Sequence, residues 1–174
     1  MELALTRAME IVVLGIDHRS QRSDLMLTQE IARLCRKHEI TLITEETRRE
    51  DATVARQVAN ECGIDWLPVD MDKEERKSAG IYETLCKRPA FDYDPDTGQR
   101  PERHLYFRHA DGIREEYWLD KAEAAKNGAR TLLVCGAVHV DPVAEKAEAR
   151  GRSVAAKLFF PESLAALKAE ILDE

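Results

Sequence analysis

Five short apolar runs, separated by segments with helical periodicity, constrain this chain more than anything else in it. The runs are "EIVVLG" (10–15), "ITLIT" (40–44), "DWLPVD" (65–70), "ARTLLVCG" (129–136) and "SVAAKLFF" (153–160). Apolar stretches of this length, with little polar alternation, read as strands covered on both faces. Between the first two, "SDLMLTQEIARLCRKHE" (23–39) places Leu27, Ile31, Leu34 and Cys35 on one helical face. The alternation predicts an α/β fold: a mainly parallel central sheet of about five strands with helices on both faces, residues 1–174 forming a single domain.

Local signals refine this outline. "TRRE" (47–50) has the form of a capping box opening the second helix, with Val54, Val58 and Cys62 turned inward and Gly63 at the left-handed stop. Pro68 cannot donate to a ladder, which assigns the third strand to an edge or a strand end. Residues 72–87 carry helical periodicity, whereas residues 88–110, rich in proline and turn residues, are expected to form a lid or irregular loop. A helix follows over 112–128. Asp141-Pro142 reads as an N-cap with proline at the first helical position, and Pro161 as the start of a terminal helix carrying Leu164, Leu167 and Ile171.

Composition excludes several classes of partner. A net charge of −7 argues against nucleic acid or an anionic membrane surface held by bulk electrostatics. No apolar run approaches the roughly 20 residues needed to span a bilayer. No basic leader with a cleavage site opens the chain, so a cytoplasmic location is expected. Cys35, Cys62, Cys86 and Cys135 are scattered, without a Cys-x-x-Cys pair, and are expected to be buried thiols.

Two of the strands run into the same short motif: "GIDH" (15–18) and "GAVH" (136–139). In parallel sheets the groups just past the carboxyl ends of the strands line one crevice. There the chain would gather Asp17 and His18, the pair Glu45-Glu46, Asp70, and His139 with Asp141. Imidazoles with carboxylates suit a divalent ion such as Mn²⁺, Co²⁺, Zn²⁺ or Fe²⁺. Each member has a plainer reading as a loop residue, cap or solvated pair, and the weight lies in their coincidence at one edge. His38 suits a helix C-terminus, His104 and His109 carry no assigned role, and Trp66 and Trp118 read as core or rim aromatics.

These motifs resemble those of the TraB and Tiki superfamily, grouped with ChaN-like and erythromycin-esterase-like proteins. Its marks are two Gly-x-x-His motifs after strands, acidic residues after the second strand, and an arginine in a helix ahead of the second motif. Here they match "GIDH", "EE" (45–46), "GAVH" and Arg114 in "IREEYW", and the resemblance covers residues 10 to about 150. Ile16 stands where several branches carry Glu, and the large helical insertion of other members is missing.

The resemblance implies a hydrolase acting on a peptide, amide or ester in a small-molecule or peptide substrate, assisted by a divalent metal. His18 and His139 would bind metal or handle protons, and Glu45 or Glu46 would bind metal or act as general base. Asp17 would be an alternative proton acceptor, and Arg114 would hold a carboxylate or stabilise an oxyanion. The alternatives are the same chemistry without metal and a non-catalytic α/β module that binds a ligand or partner.

Overall fold

The computed structural model describes residues 10–47, 52–81, 103–125 and 129–159. They form a five-stranded, all-parallel sheet with helices on both faces, as the alternation of runs requires. The strands are β1 (Glu10–Ile16), β2 (Leu42–Glu45), β3 (Asp65–Pro68), β4 (Thr131–Gly136) and β5 (Ser153–Leu158). The helices are α1 (Leu25–Lys37), α2 (Val54–Cys62), α3 (Lys73–Ser78), α4 (Arg103–Ala125) and α5 (Val140–Ala149).

Spatial order across the sheet is β3-β2-β4-β1-β5. β4 is therefore inserted between β1 and β2, pairing Gly15 with Cys135 and Glu45 with Val134. Pro68 closes the edge strand β3, where its missing N–H costs no ladder bond. β1, β2 and β4 consist of buried residues apart from half-buried Glu10, so both of their faces are covered.

The period of two along each strand divides the core into two layers. Val12, Leu14, Ile43, Leu132 and Val134 pack with Leu27 and Ile31 of α1 and with Val54 and Val58 of α2. Ile11, Val13, Leu133 and Cys135 pack with Trp118 and Leu119 of α4 and with Val143 and Ala147 of α5. Fully burying one such side chain contributes roughly 1.5–3 kcal/mol. A third small cluster joins Met71, Ile81 and Ala110 beyond the β3 edge.

Several local expectations are corrected. α2 starts at Val54, not after Thr47: Thr53 is the N-cap, its hydroxyl accepting from the Arg56 N–H, and residues 48–51 lie outside those described. Gly63 does end that helix in the left-handed region, with φ of 65°. Asp72 and Glu75 form a reciprocal capping box on α3, which ends at Ser78. Asp141 is not an N-cap. The chain leaves β4 through a 3₁₀ turn, Ala137–His139, that runs directly into α5, so Asp141 and Pro142 fall in its first turn.

α4 begins at Arg103, nine residues before the expected start, so 103–110 is helix rather than loop. The sequence reading starts this helix at Gly112. That glycine sits mid-helix instead, where glycine costs about 1 kcal/mol and neighbouring turns supply the rest. The rest of the expected lid, 88–102, the terminal helix after Pro161, and Cys86 lie outside the described residues. Cys35 and Cys135 are buried thiols, but Cys62, at the end of α2, is exposed. Among the described residues no helix is long and apolar enough to cross a membrane.

Candidate active site

The site forms where β1, β4 and β2 end side by side. Glu46 is its centre. Adjacent residues leaving a strand point to opposite faces, so Glu46 faces α4 while Glu45 turns under α2. The Glu46 carboxylate is 7% exposed and is anchored at both oxygens. Oε1 accepts from the Arg114 guanidinium at 2.6 Å, and Oε2 accepts from the Gly136 backbone N–H at 2.8 Å.

Both motif histidines point their Nε2 at this carboxylate. His18 Nε2 lies 3.6 Å from Glu46 Oε2, and His139 Nε2 lies 3.8 Å from Glu46 Oε1. Their surroundings differ: the His18 side chain is 55% exposed and that of His139 is 7%. Gly136 explains the second glycine, because a Cβ there would meet His18 Nε2 at 2.8 Å and Glu46 Oε2 at 3.4 Å. The glycine of one motif thus clears space for the histidine of the other. Gly15 instead makes room for Val140 and Leu158.

α4 supplies the opposite wall through one face, Asp111, Arg114, Glu115 and Trp118, at helical spacing. Arg114 donates to Glu46, to Asp70 Oδ1 at 3.0 Å and to Asp111 at 3.1 Å. Burial opposes its charge, but attraction and hydrogen bonds from Asp70 and Glu46 outweigh this and hold its pKa well above the usual arginine value. Asp70 is shared with Arg76 at 2.8 Å. The Trp118 ring stands edge-on to His139 with centroids 5.0 Å apart, and Arg114 lies 5.0 Å over the same ring.

Behind His139 is Glu115, 3% exposed, which takes His139 Nδ1 at 2.7 Å and Lys146 at 2.8 Å. Burial would lower the His139 pKa, but the Glu115 hydrogen bond and the nearby Glu46 charge raise it overall. Burial likewise works against ionised Glu115, and the bonds from His139 and Lys146 turn the balance so that its pKa is lowered. Each group thus favours the charged form of the other.

Glu45 and Asp17 stand apart from this cluster. Glu45 is fully buried, and both oxygens accept bonds: from Gln21 at 2.8 Å, Thr53 at 2.7 Å and the Trp66 indole at 2.9 Å. Burial raises its pKa, and those three donors offset the rise only in part. The Asp17 carboxylate turns outward onto Arg19 at 2.9 Å, and the Arg19 hydrogen bonds lower its pKa. Asp141 is exposed on the first turn of α5, His109 is exposed, and His38 pairs with Glu10 at 2.7 Å; the His104 side chain lies outside the described set.

Gln21, Glu115 and Lys146 escaped the sequence reading. Glu115 had a signal: it follows Arg114 and shares a helical face with the inward Trp118, an unusual place for a carboxylate. Gln21 had none. A cavity of about 540 Å³ reaches Lys146 and another of about 450 Å³ reaches Thr53, and neither is lined by His18, Glu46 or His139.

Two imidazole nitrogens and a carboxylate form a donor set of the kind that divalent transition metals accept. As placed, no three His, Cys, Asp or Glu side chains among the described residues stand close enough to hold an ion together. No family model matches the chain, no curated protein matches it, and no solved structure matches it.

Proposed function

We propose that the chain is a hydrolase that cleaves a peptide, amide or ester bond at the carboxyl edge of β1, β4 and β2, with a divalent ion held by His18, His139 and Glu46. One observation carries this reading: two imidazole Nε2 atoms face the two oxygens of a single anchored carboxylate. When bound, a divalent ion supplies Lewis-acid polarisation of a carbonyl and makes water more acidic. The chain's own groups do the rest. Arg114 and the Gly136 N–H fix the orientation of Glu46, and Glu115 fixes that of His139. In this reading the permanent charge of Arg114, held by Glu46, Asp70 and Asp111, would also favour a developing oxyanion beside Glu46. Glu45 and Asp17 serve the surroundings of the site rather than its centre.

A second reading is favoured by the 2.7 Å contact of His139 Nδ1 with the buried Glu115, the pairing that orients a general base. In it the same residues work without metal: His139, backed by Glu115, takes a proton from water, and Arg114 steadies the anion. Elemental analysis of freshly purified protein, then peptide and ester hydrolysis with and without chelator, separates the two. Stoichiometric metal and chelator-sensitive turnover support the first, and chelator-resistant turnover supports the second. If His18→Ala and His139→Ala leave turnover of every cleaved substrate intact, both fail, and if the wild type cleaves none of them a non-catalytic binding module takes their place.

A further inference from the structure

The Gly-x-x-His motif sets where each histidine sits but not which ring nitrogen it offers. A neutral imidazole has one N–H and one lone pair, and whichever nitrogen donates leaves the other as the acceptor or ligand. At His139, Nδ1 faces a Glu115 oxygen at 2.7 Å. An ionised carboxylate only accepts, so in the neutral ring Nδ1 carries the proton, and Nε2, 3.8 Å from Glu46 and beyond hydrogen-bond reach of it, keeps the lone pair.

At His18 the same result comes from a neutral side chain. His18 Nδ1 lies 3.2 Å from Gln21 Oε1. The Gln21 amide nitrogen donates to Glu45 Oε1 at 2.8 Å and to the Glu46 backbone carbonyl at 3.3 Å. A carbonyl oxygen cannot donate, so the amide cannot be reversed without placing oxygen against oxygen. Its Oε1 is therefore locked as an acceptor toward His18, which must donate from Nδ1. The buried Glu45, held by Thr53 and Trp66, is the fixed end of this chain.

The geometry points to Gln21 and Glu115 as positioning residues that hold His18 and His139 in the same tautomer, so that both offer Nε2 to one divalent-cation site. This rests on the reading that the two imidazoles and Glu46 form one site. It gives Glu45 a part without contact to substrate: it orients Gln21.

The test uses the full chain, labelled with ¹⁵N, and two-bond ¹H–¹⁵N spectra of the histidine rings above their titration. His18→Ala and His139→Ala assign the signals. The expected result is Nδ1–H for both rings in the wild type. Gln21→Met, which removes the acceptor at a half-buried position, should move His18 toward Nε2–H and leave His139 unchanged. Glu115→Gln retains an oxygen acceptor and should keep His139 as Nδ1–H.

Titration with Co²⁺, followed by its visible absorption bands, gives a readout that needs no substrate. Gln21→Met should weaken Co²⁺ binding about tenfold or more, the usual consequence of losing the partner of a ligand histidine. Wild-type rings protonated on Nε2, or a Gln21→Met variant unchanged in tautomer, overturn the inference. Nδ1–H rings in a wild type that binds no Co²⁺ would uphold the tautomer lock and remove the metal from the proposed function.

Discussion

The two Gly-x-x-His motifs share a spelling and differ in almost everything else. After β1 the chain makes an exposed turn, and His18 stands on it with a neutral amide behind its ring. After β4 the chain tightens into a 3₁₀ turn and continues into α5, and His139 is buried against Trp118 with a charged carboxylate behind its ring. The first glycine makes room for Val140 and Leu158, while the second makes room for His18. A short motif thus prescribes a turn at a strand end, and the neighbours decide whether that turn presents an exposed imidazole or a buried, braced one.

The sharpest way to break the rigid half is to remove its central cation. Arg114→Met leaves Glu46 and Asp70, each 7% exposed, without that partner. Losing one member of a buried ion cluster should cost roughly 3–5 kcal/mol. Urea unfolding measures this, and a loss below about 1 kcal/mol, the worth of an exposed ion pair, would mean the cluster is hydrated and not buried.

The glycines separate the two halves next. Gly15→Ala sets a methyl 2.3 Å from Val140 Cγ2 and 3.0 Å from the Ala137 Cα, neither of which is a flexible chain end. Overpacking of this kind should cost about 1–3 kcal/mol. Gly136→Ala meets chiefly the exposed His18 ring, so it should cost less stability while reducing Co²⁺ binding. Equal stability losses for the two would undo the assignment of separate roles.

The buried His139–Glu115 pair should also make stability follow pH. The folded pKa of His139 is raised above the ordinary 6.5, so its contribution is complete below 6.5 and is lost as pH rises through the folded value. The folded pKa of Glu115 is lowered below 4.5, so its contribution is complete above 4.5 and is lost as pH falls through the folded value. The pair therefore stabilises most between 4.5 and 6.5. Unfolding free energies of the wild type and His139→Asn, measured from acid to alkaline pH, should converge as pH rises out of that window. Parallel curves throughout would contradict the ion pair.

The smallest effect is expected at His18. His18→Ala removes an exposed ring and should change stability by less than about 0.5 kcal/mol while abolishing Co²⁺ binding. A larger loss would show that the turn after β1 depends on the ring.

Much of the fold was legible because it rests on local pattern. The five strands, the inward stripe of α1, the stop at Gly63 and the edge position of β3 follow from periodicity and from single-residue backbone preferences. The misreadings came where two local signals competed. Thr47 and Thr53 are both plausible caps, and Thr53 takes the position with its hydroxyl also donating to Glu45. Gly112 looked like a helix boundary, yet α4 runs through it.

The site was legible only as a set of groups at one edge. Glu45 and Glu46 read as an equivalent pair, but successive residues face opposite ways, and only Glu46 reaches the histidines. Asp17 read as a member of the cluster, but Arg19, two residues on, takes its carboxylate. Glu115 and Gln21 entered only with the packing.

The sequence by itself determined that this chain alternates strands and helices, and that its imidazoles and acids fall at strand ends, because backbone preference and hydrophobic periodicity act over a few residues. Only the tertiary structure decided that β4 lies between β1 and β2. Strand order depends on pairing between distant segments, and that order sets which carboxylate, which amide and which guanidinium each histidine meets.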